Sequence, residues 1–246
     1  MQYHKVEIIR PRNRKVTPIN TVQTIWNGLN WNYLLEMIFG VIPALLCITL
    51  HELSHGAVAY SLGDDTAKRQ GRLTLNPIRH IDIMGLLMMV FFRFGWAKPV
   101  PVNMNRFKNP KKGMAITALA GPVSNVIIAI VFLFLYGFFF PILNGKSEIA
   151  GIVLDMLQIT AYMSLGFAVF NILPIPPLDG SKVLFSLMSD EQYRTLMRYE
   201  RYGMMILLLL VASGLLGRPL SSATQYLLNK LFFLAESGYQ LSLRLF

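Results

Sequence analysis

Cysteine is nearly missing from this chain: Cys47 stands alone among 246 residues, which excludes an intramolecular disulfide framework. Charge is scarce too. Charged residues make up 15% of the sequence against 54% hydrophobic, and 13 acidic residues face 23 basic ones, for a net charge of +10. That is apolar for a soluble domain. The apolar residues also come in blocks near the roughly 20 residues that cross a hydrocarbon core of about 30 Å. The surplus positive charge sits mostly in connecting segments, where it suits anionic headgroups at the cytoplasmic face of a membrane and not nucleic acid. Residues 1 to 20 are polar and basic, so no cleavable signal peptide is expected.

A basic tail occupies residues 1 to 32, with Trp26 and Trp31 where an interfacial aromatic belt would lie. Spans are expected from about Tyr33 to about Leu62, over 114 to 140, where no residue is charged, and from about Gly151 into "NILPIPPLDG" at 171 to 180. The three prolines of that last segment cannot sit in an unbroken helix. Gly203 to Gly217 offers a further, shorter apolar run, and 218 to 246 suits an amphipathic helix lying in the interface. Between the first two spans, "IMGLLMMVFF" (83 to 92) is too short to cross comfortably. Its two flanks are both basic, which puts both on the cytoplasmic side and makes the run re-entrant. A crossing by 83 to 94 is the alternative; it would satisfy the charge rule for the N-terminal tail but set the first span antiparallel to the one that runs into 171 to 180. "GRLTLN" (71 to 76) alternates like a strand, and "WAKPVPVN" (96 to 103) suits an edge strand, since Pro99 and Pro101 remove donors from one edge only. The expected fold is an all-α polytopic membrane protein. Its core is three transmembrane helices plus a further C-terminal span, in a membrane-embedded domain over 33 to 217 with a small β-hairpin and re-entrant segment at 63 to 112. No internal repeat is visible.

Ionisable groups inside such blocks are costly, about 2.5–3.5 kcal/mol for a charge at a helix centre. "HELSH" at 51 to 55 therefore needs a reason. On a helix, His51 and His55 stand one turn apart and can reach one metal ion, with Glu52 in the same sector beside it. Zinc held by nitrogen and oxygen ligands with one open position lowers the pKa of its bound water to about 7. A neighbouring carboxylate can then take the proton and deliver it to a leaving amine. The plain alternative, two histidines hydrogen-bonding between helices, must account for three polar groups at once. Zinc still lacks a third protein ligand. His4 lies in the tail and His80 in a basic loop, and Asp179 in the proline-broken segment is the better candidate, because irregular backbone at membrane depth persists only where protein or a water-filled cavity satisfies it. Asp179 could instead cap a helix starting near Gly180.

HELSH on one span, "AGPVSN" (120 to 125) opening the next and "NxxPxPPLDG" on the third give the chain a pattern that resembles the site-2 protease family of intramembrane metalloproteases. "GRLTLNPIRHID" followed by "GWAKPVPVN" resembles its small prokaryotic members, which lack PDZ and CBS domains. The resemblance covers about residues 33 to 190. It implies one zinc ion per chain held by His51, His55 and Asp179, Glu52 as catalytic base, and Asn171 holding the substrate backbone or the polarised carbonyl. It implies a multi-pass protein of the cell membrane whose partners are the lipid bilayer and membrane-anchored protein substrates, regulators or remnant signal peptides among them. The hairpin would offer an edge to an unwound substrate strand. One departure is "HIDIMG", where close relatives usually carry a proline after the aspartate; it bears on a turn and not on the chemistry. Two rival classes are a divalent-metal transporter, which expects ionisable residues on several spans and repeated halves, and a non-catalytic scaffold, which expects four protein ligands on a structural zinc. Elsewhere, Asn125 and Gly121 read as helix packing rather than substrate contact. Asp64 and Asp65 read as solvated or paired with Lys68 and Arg69, and His80 as an interfacial side chain.

Overall fold

The structure is a computed structural model and describes residues 31 to 92 and 95 to 246. The chain divides into two units, Met1–Ile38 and Phe39–Phe246, and the fold below is that of the second. The expected basic tail, 1 to 32, lies outside the described residues save for its last two.

In chain order the described helices are α1 (Trp31–Ser61), the single turn α2 (Thr66–Arg69), α3 (Ile83–Phe92), α4 (Pro110–Leu143), α5 (Glu148–Asn171), α6 (Asp179–Ser186), α7 (Asp190–Ala212), α8 (Gly217–Leu231) and α9 (Phe233–Leu245). Their ends follow local chemistry. Asn109 caps α4 by accepting from Lys112 N–H at 3.1 Å, with Pro110 in the first turn, where its missing N–H costs nothing. Ser147 caps α5 through Ala150 N–H, and Ser189 with Gln192 forms a capping box on α7. α5 stops at Asn171 because Pro174, Pro176 and Pro177 follow, and the chain turns helical again only at Asp179.

Phe39–Ser61, α4 and α5 are long and apolar enough to cross a membrane; Tyr202–Ala212 and Gly217–Leu245, bent by 86°, make a fourth if they count as one span. The burial of α4 shows which solvent it suits. Thr117, Ala118, Gly121, Asn125, Ala129 and Leu133 are buried, whereas Val123, Ile127 and Val131, four residues apart, are 46–55% exposed. Most buried positions are small or polar, and the exposed row is large and aliphatic, the arrangement that lipid favours and water does not. α4 is the centre of the bundle and packs against α5, α6 and α9. Its contact with α9 depends on glycine: a Cβ on Gly137 would lie 1.8 Å from Ala235 O, and one on Gly238 would lie 2.3 Å from Phe134 O.

The all-helical membrane core matches expectation, but the β-hairpin does not form. Among the described residues there is no strand, and one isolated antiparallel bridge, Ile81 to Ala97, stands in its place. The donors and acceptors that a ladder needs go elsewhere. The N–H of Val100, between the two prolines, donates to Glu52 Oε2 at 2.8 Å. The Arg72 guanidinium donates to Lys98 O and Pro99 O at 2.7 and 3.2 Å. Asn76 caps a 3₁₀ turn at Pro77–His80 rather than extending "GRLTLN" as a strand. The ten residues of α3 extend about 15 Å, half a hydrocarbon core.

Candidate active site

α1 delivers the two histidines one turn apart, and the start of α6 delivers the carboxylate from far along the chain. His51 Nε2 lies 3.0 Å from His55 Nε2, and Asp179 Oδ2 lies 3.1 and 3.2 Å from them respectively. All three residues are buried, at 7–8% exposure. Asp179 does not cap α6: the capping position is Leu178, without a side-chain bond, and Asp179 is the first helical residue. The break after Asn171 thus places its carboxylate against α1.

The outer nitrogens fix how the rings present themselves. His55 Nδ1 lies 2.7 Å from the carbonyl oxygen of Thr117. A carbonyl can only accept, so Nδ1 carries the proton and Nε2 presents a lone pair. His51 Nδ1 lies 3.1 Å from the side-chain amide of Asn125, which is wholly buried. With both outer positions held, the two imidazole Nε2 atoms and Asp179 Oδ2 converge on one point. Three acceptors at such separations repel unless a cation lies among them. Ligands of a tetrahedral zinc with bonds of about 2.0–2.1 Å stand roughly 3.3 Å apart, close to the 3.0–3.2 Å found here. Room is kept by Gly121, where a Cβ would fall 2.5 Å from both Nε2 atoms. The donor set, its spacing and this small-residue cradle fit a zinc ion.

The three candidate ligands line a cavity of about 470 Å³ together with Glu52, Asn171 and Lys182. Glu52 follows His51 on α1 and is anchored through Oε2 on the Val100 N–H. Asn171, the last residue of α5, donates its amide to Phe167 O at 3.0 Å. All five residues singled out from the sequence, His51, Glu52, His55, Asn171 and Asp179, therefore meet at one cavity. Sequence reading did not find the roles of Asn125, Gly121 and Thr117. "AGPVSN" was the available signal, but contact with His51 depends on how α4 crosses α1. Two other readings change. His80 is 1% exposed and its Nε2 donates to Thr74 O at 2.9 Å. Asp64 is fully buried and accepts from Thr66 N–H at 3.0 Å and Asn103 N–H at 2.6 Å. Asp65 does pair with Arg69, as expected, and also with Arg106.

A bundle of apolar spans closing on a buried His-His-carboxylate cluster defines a multi-pass membrane protein with a metal-binding centre. Known proteins sharpen that class. A model of Peptidase family M50 matches residues 139–214, the stretch that holds Asn171 and Asp179. The chain is 40% identical over 181 residues to "Putative zinc metalloprotease YwhC" of Bacillus subtilis (strain 168), covering 71% of this chain and 80% of the relative. It is 28% identical over 229 residues to Rip2 of Mycolicibacterium smegmatis, which has the same descriptive name, across 85% of this chain and 86% of the relative. A Methanocaldococcus jannaschii protein named "Zinc metalloprotease MJ0392" is 26% identical over 165 residues, 67% of this chain and 37% of the relative. No solved structure matches. The chain belongs to peptidase family M50.

Proposed function

We propose that this M50 peptidase is an intramembrane zinc endopeptidase that hydrolyses peptide bonds in or near the transmembrane segments of membrane-anchored proteins. The observation that carries the reading is the buried convergence of His51, His55 and Asp179 at a cavity that Glu52 also lines. His51 and His55 ligate through Nε2, and Asp179 through a carboxylate oxygen. When bound, zinc supplies a Lewis acid that polarises the scissile carbonyl and acidifies water. Glu52 takes the proton of the attacking water and gives it to the leaving nitrogen; its bond to Val100 N–H occupies one carboxylate oxygen and fixes the group's direction. Asn171, which lines the same cavity, holds the substrate backbone. Peptide groups within a helix are bonded to one another, so the substrate must unwind before it enters.

Two groups position the ligands. Thr117 O fixes His55. Asn125 does the same for His51 once its amide is read by its hydrogen bonds. A ligating Nε2 requires a proton on Nδ1, hence an acceptor opposite, and the Oδ1 of Asn125 is otherwise buried without a partner. Turned so that Oδ1 faces the ring, the amide accepts from Nδ1–H, as the outer partners of metal-bound histidines commonly do. Residues 33 to 217 carry this chemistry in the cell membrane, flanked by the basic segment 1 to 32 and the amphipathic segment 218 to 246. The test is Glu52→Gln in the full chain. It should keep one zinc per chain while cleavage of a transmembrane peptide drops by at least a thousandfold; a variant as active as the parent would remove Glu52 from the mechanism.

A further inference from the structure

A second cavity, of about 490 Å³, lies beside the zinc cavity and is walled by α1, α5, α8 and residues within 77–85 and 95–97. The two share Ile48, Gly95, Trp96, Ala97, Phe167 and Phe170, so they are neighbouring chambers with a common partition. The second chamber begins one helical turn, about 5.4 Å, before the HELSH residues of α1: Ala44, Leu45 and Ile48 precede His51, Glu52 and His55. Its wall is mostly apolar, with Thr49, His80, Asp82, Ser221 and Thr224 as its polar members. Two wall residues, Thr49 and His80, each keep a buried polar atom without a partner, Oγ1 and Nδ1. Because His80 Nε2 donates to Thr74 O, its Nδ1 is an acceptor with no donor. A lipid tail offers these two groups nothing, whereas a substrate strand brings backbone N–H donors beside its side chain, and apolar chambers with a few polar groups are the usual form of a binding site.

Resting on the protease reading above, we infer that this chamber is a side-chain recognition site that admits a bulky apolar residue of the substrate next to the scissile bond. An extended strand rises about 3.3 Å per residue and points successive side chains to opposite sides. A strand whose scissile carbonyl lies at the metal therefore carries a nearby side chain across the partition of Trp96 and Phe167. The space suits Leu, Met or Phe and leaves Ala with apolar wall unfilled. Specificity resides in the wall. Gly166 faces the space without obstruction: a Cβ there meets nothing nearer than Thr224 Oγ1 at 4.0 Å, and both residues line the chamber. A larger residue at 166 enters the space that the substrate side chain would occupy.

The experiment uses the full zinc-loaded chain in lipid nanodiscs. It compares transmembrane peptides that differ at one position beside the cleaved bond: Ala, Phe or Trp. The parent should cleave the Phe peptide with a kcat/KM at least tenfold above the Ala peptide, the discrimination that a few methylenes in an apolar pocket supply. Gly166→Leu should lower that Phe-to-Ala ratio at least tenfold while its zinc content stays at the parent's. Met163→Ala, which enlarges the same chamber, should raise the Trp-to-Phe ratio, and it secures the test if Gly166→Leu folds poorly. Equal cleavage of all three peptides by the parent, or ratios that neither variant moves, overturns the recognition site and leaves the protease standing. A co-purified acyl chain in the chamber together with unmoved ratios does the same. A zinc-loaded parent that cleaves no peptide, with or without chelator, overturns the protease reading and this inference with it.

Discussion

At the scale of single residues, the site depends on which atom faces which. His51 ligates best through Nε2 while an acceptor faces its Nδ1, and Asn125, whose side-chain amide lies 3.1 Å away, provides one when its Oδ1 is turned to the ring. Asn125→Asp keeps an acceptor and should hold zinc within a few-fold of the parent. Asn125→Leu removes it and should weaken zinc binding about 10- to 100-fold, in line with the loss of other such outer partners. Chelator competition reads both, and equal affinities for the two variants would show that Asn125 merely fills space. A second residue-scale prediction concerns Asp64, beyond the end of the first span. Burial alone would raise its pKa, but donation from the Thr66 hydroxyl and from the Asn103 and Thr66 N–H groups, with Arg106 nearby, outweighs burial and holds it below the ordinary value. A lowered folded pKa means the ionised carboxylate stabilises the fold above the ordinary value of about 3.9, and that this support is lost as pH falls through the folded value. Thermal unfolding of the parent should therefore shift to lower temperature in acid below about pH 4, and Asp64→Asn should flatten that dependence while being less stable near neutrality. An unchanged acid limb in the variant would contradict the assignment.

At the scale of elements, what could be read from the sequence depended on whether the cause was local. The spans were legible because a charge-free run such as 114 to 140 has one favourable solvent, and the structure extends that helix to Pro110–Leu143. The break before Asp179 was legible because three prolines remove donors wherever they sit. Helical spacing alone put His51 and His55 on one side of α1. The hairpin was misread for the opposite reason. Alternation in "GRLTLN" and the prolines of "WAKPVPVN" describe what a strand permits, but pairing depends on where the donors go, and Glu52 and Arg72 take part in bonds that a ladder would have needed. The contact of α4 with α9 was likewise hidden, since a glycine's value there lies in the backbone opposite it. Gly137→Ala places a methyl against Ala235 O. It should destabilise the bundle by about 1–3 kcal/mol, the usual penalty of overpacking, as measured by reversible unfolding in mixed micelles. A change of a few tenths would mean the two helices part easily.

At the scale of the whole molecule, the chain encloses a polar, metal-binding centre among helices whose outer faces are aliphatic. That arrangement explains why so few charges lie in the spans and why Glu52 stands beside the buried His51, His55 and Asp179. His51, Glu52 and His55 share one helix, Asp179 begins another, and the chain between them includes the two remaining spans of the core. The helix that carries the AGPVSN residues contributes no metal ligand, yet it holds both rings from behind through Thr117 and Asn125 and leaves them room at Gly121. The sequence disclosed the candidate ligands, because their chemistry is expensive in lipid, and concealed the groups behind them, because those act through backbone carbonyls and close approach.

The central claim is that a single zinc ion joins the α1 histidines to the carboxylate that opens α6. An anomalous difference map at the zinc edge, from crystals of the full chain purified without chelator, tests it directly. The account predicts one peak within bonding distance of His51 Nε2, His55 Nε2 and an oxygen of Asp179. A peak bonded to the histidines with Asp179 out of reach, or no peak in a protein that still cleaves its peptide, would contradict it.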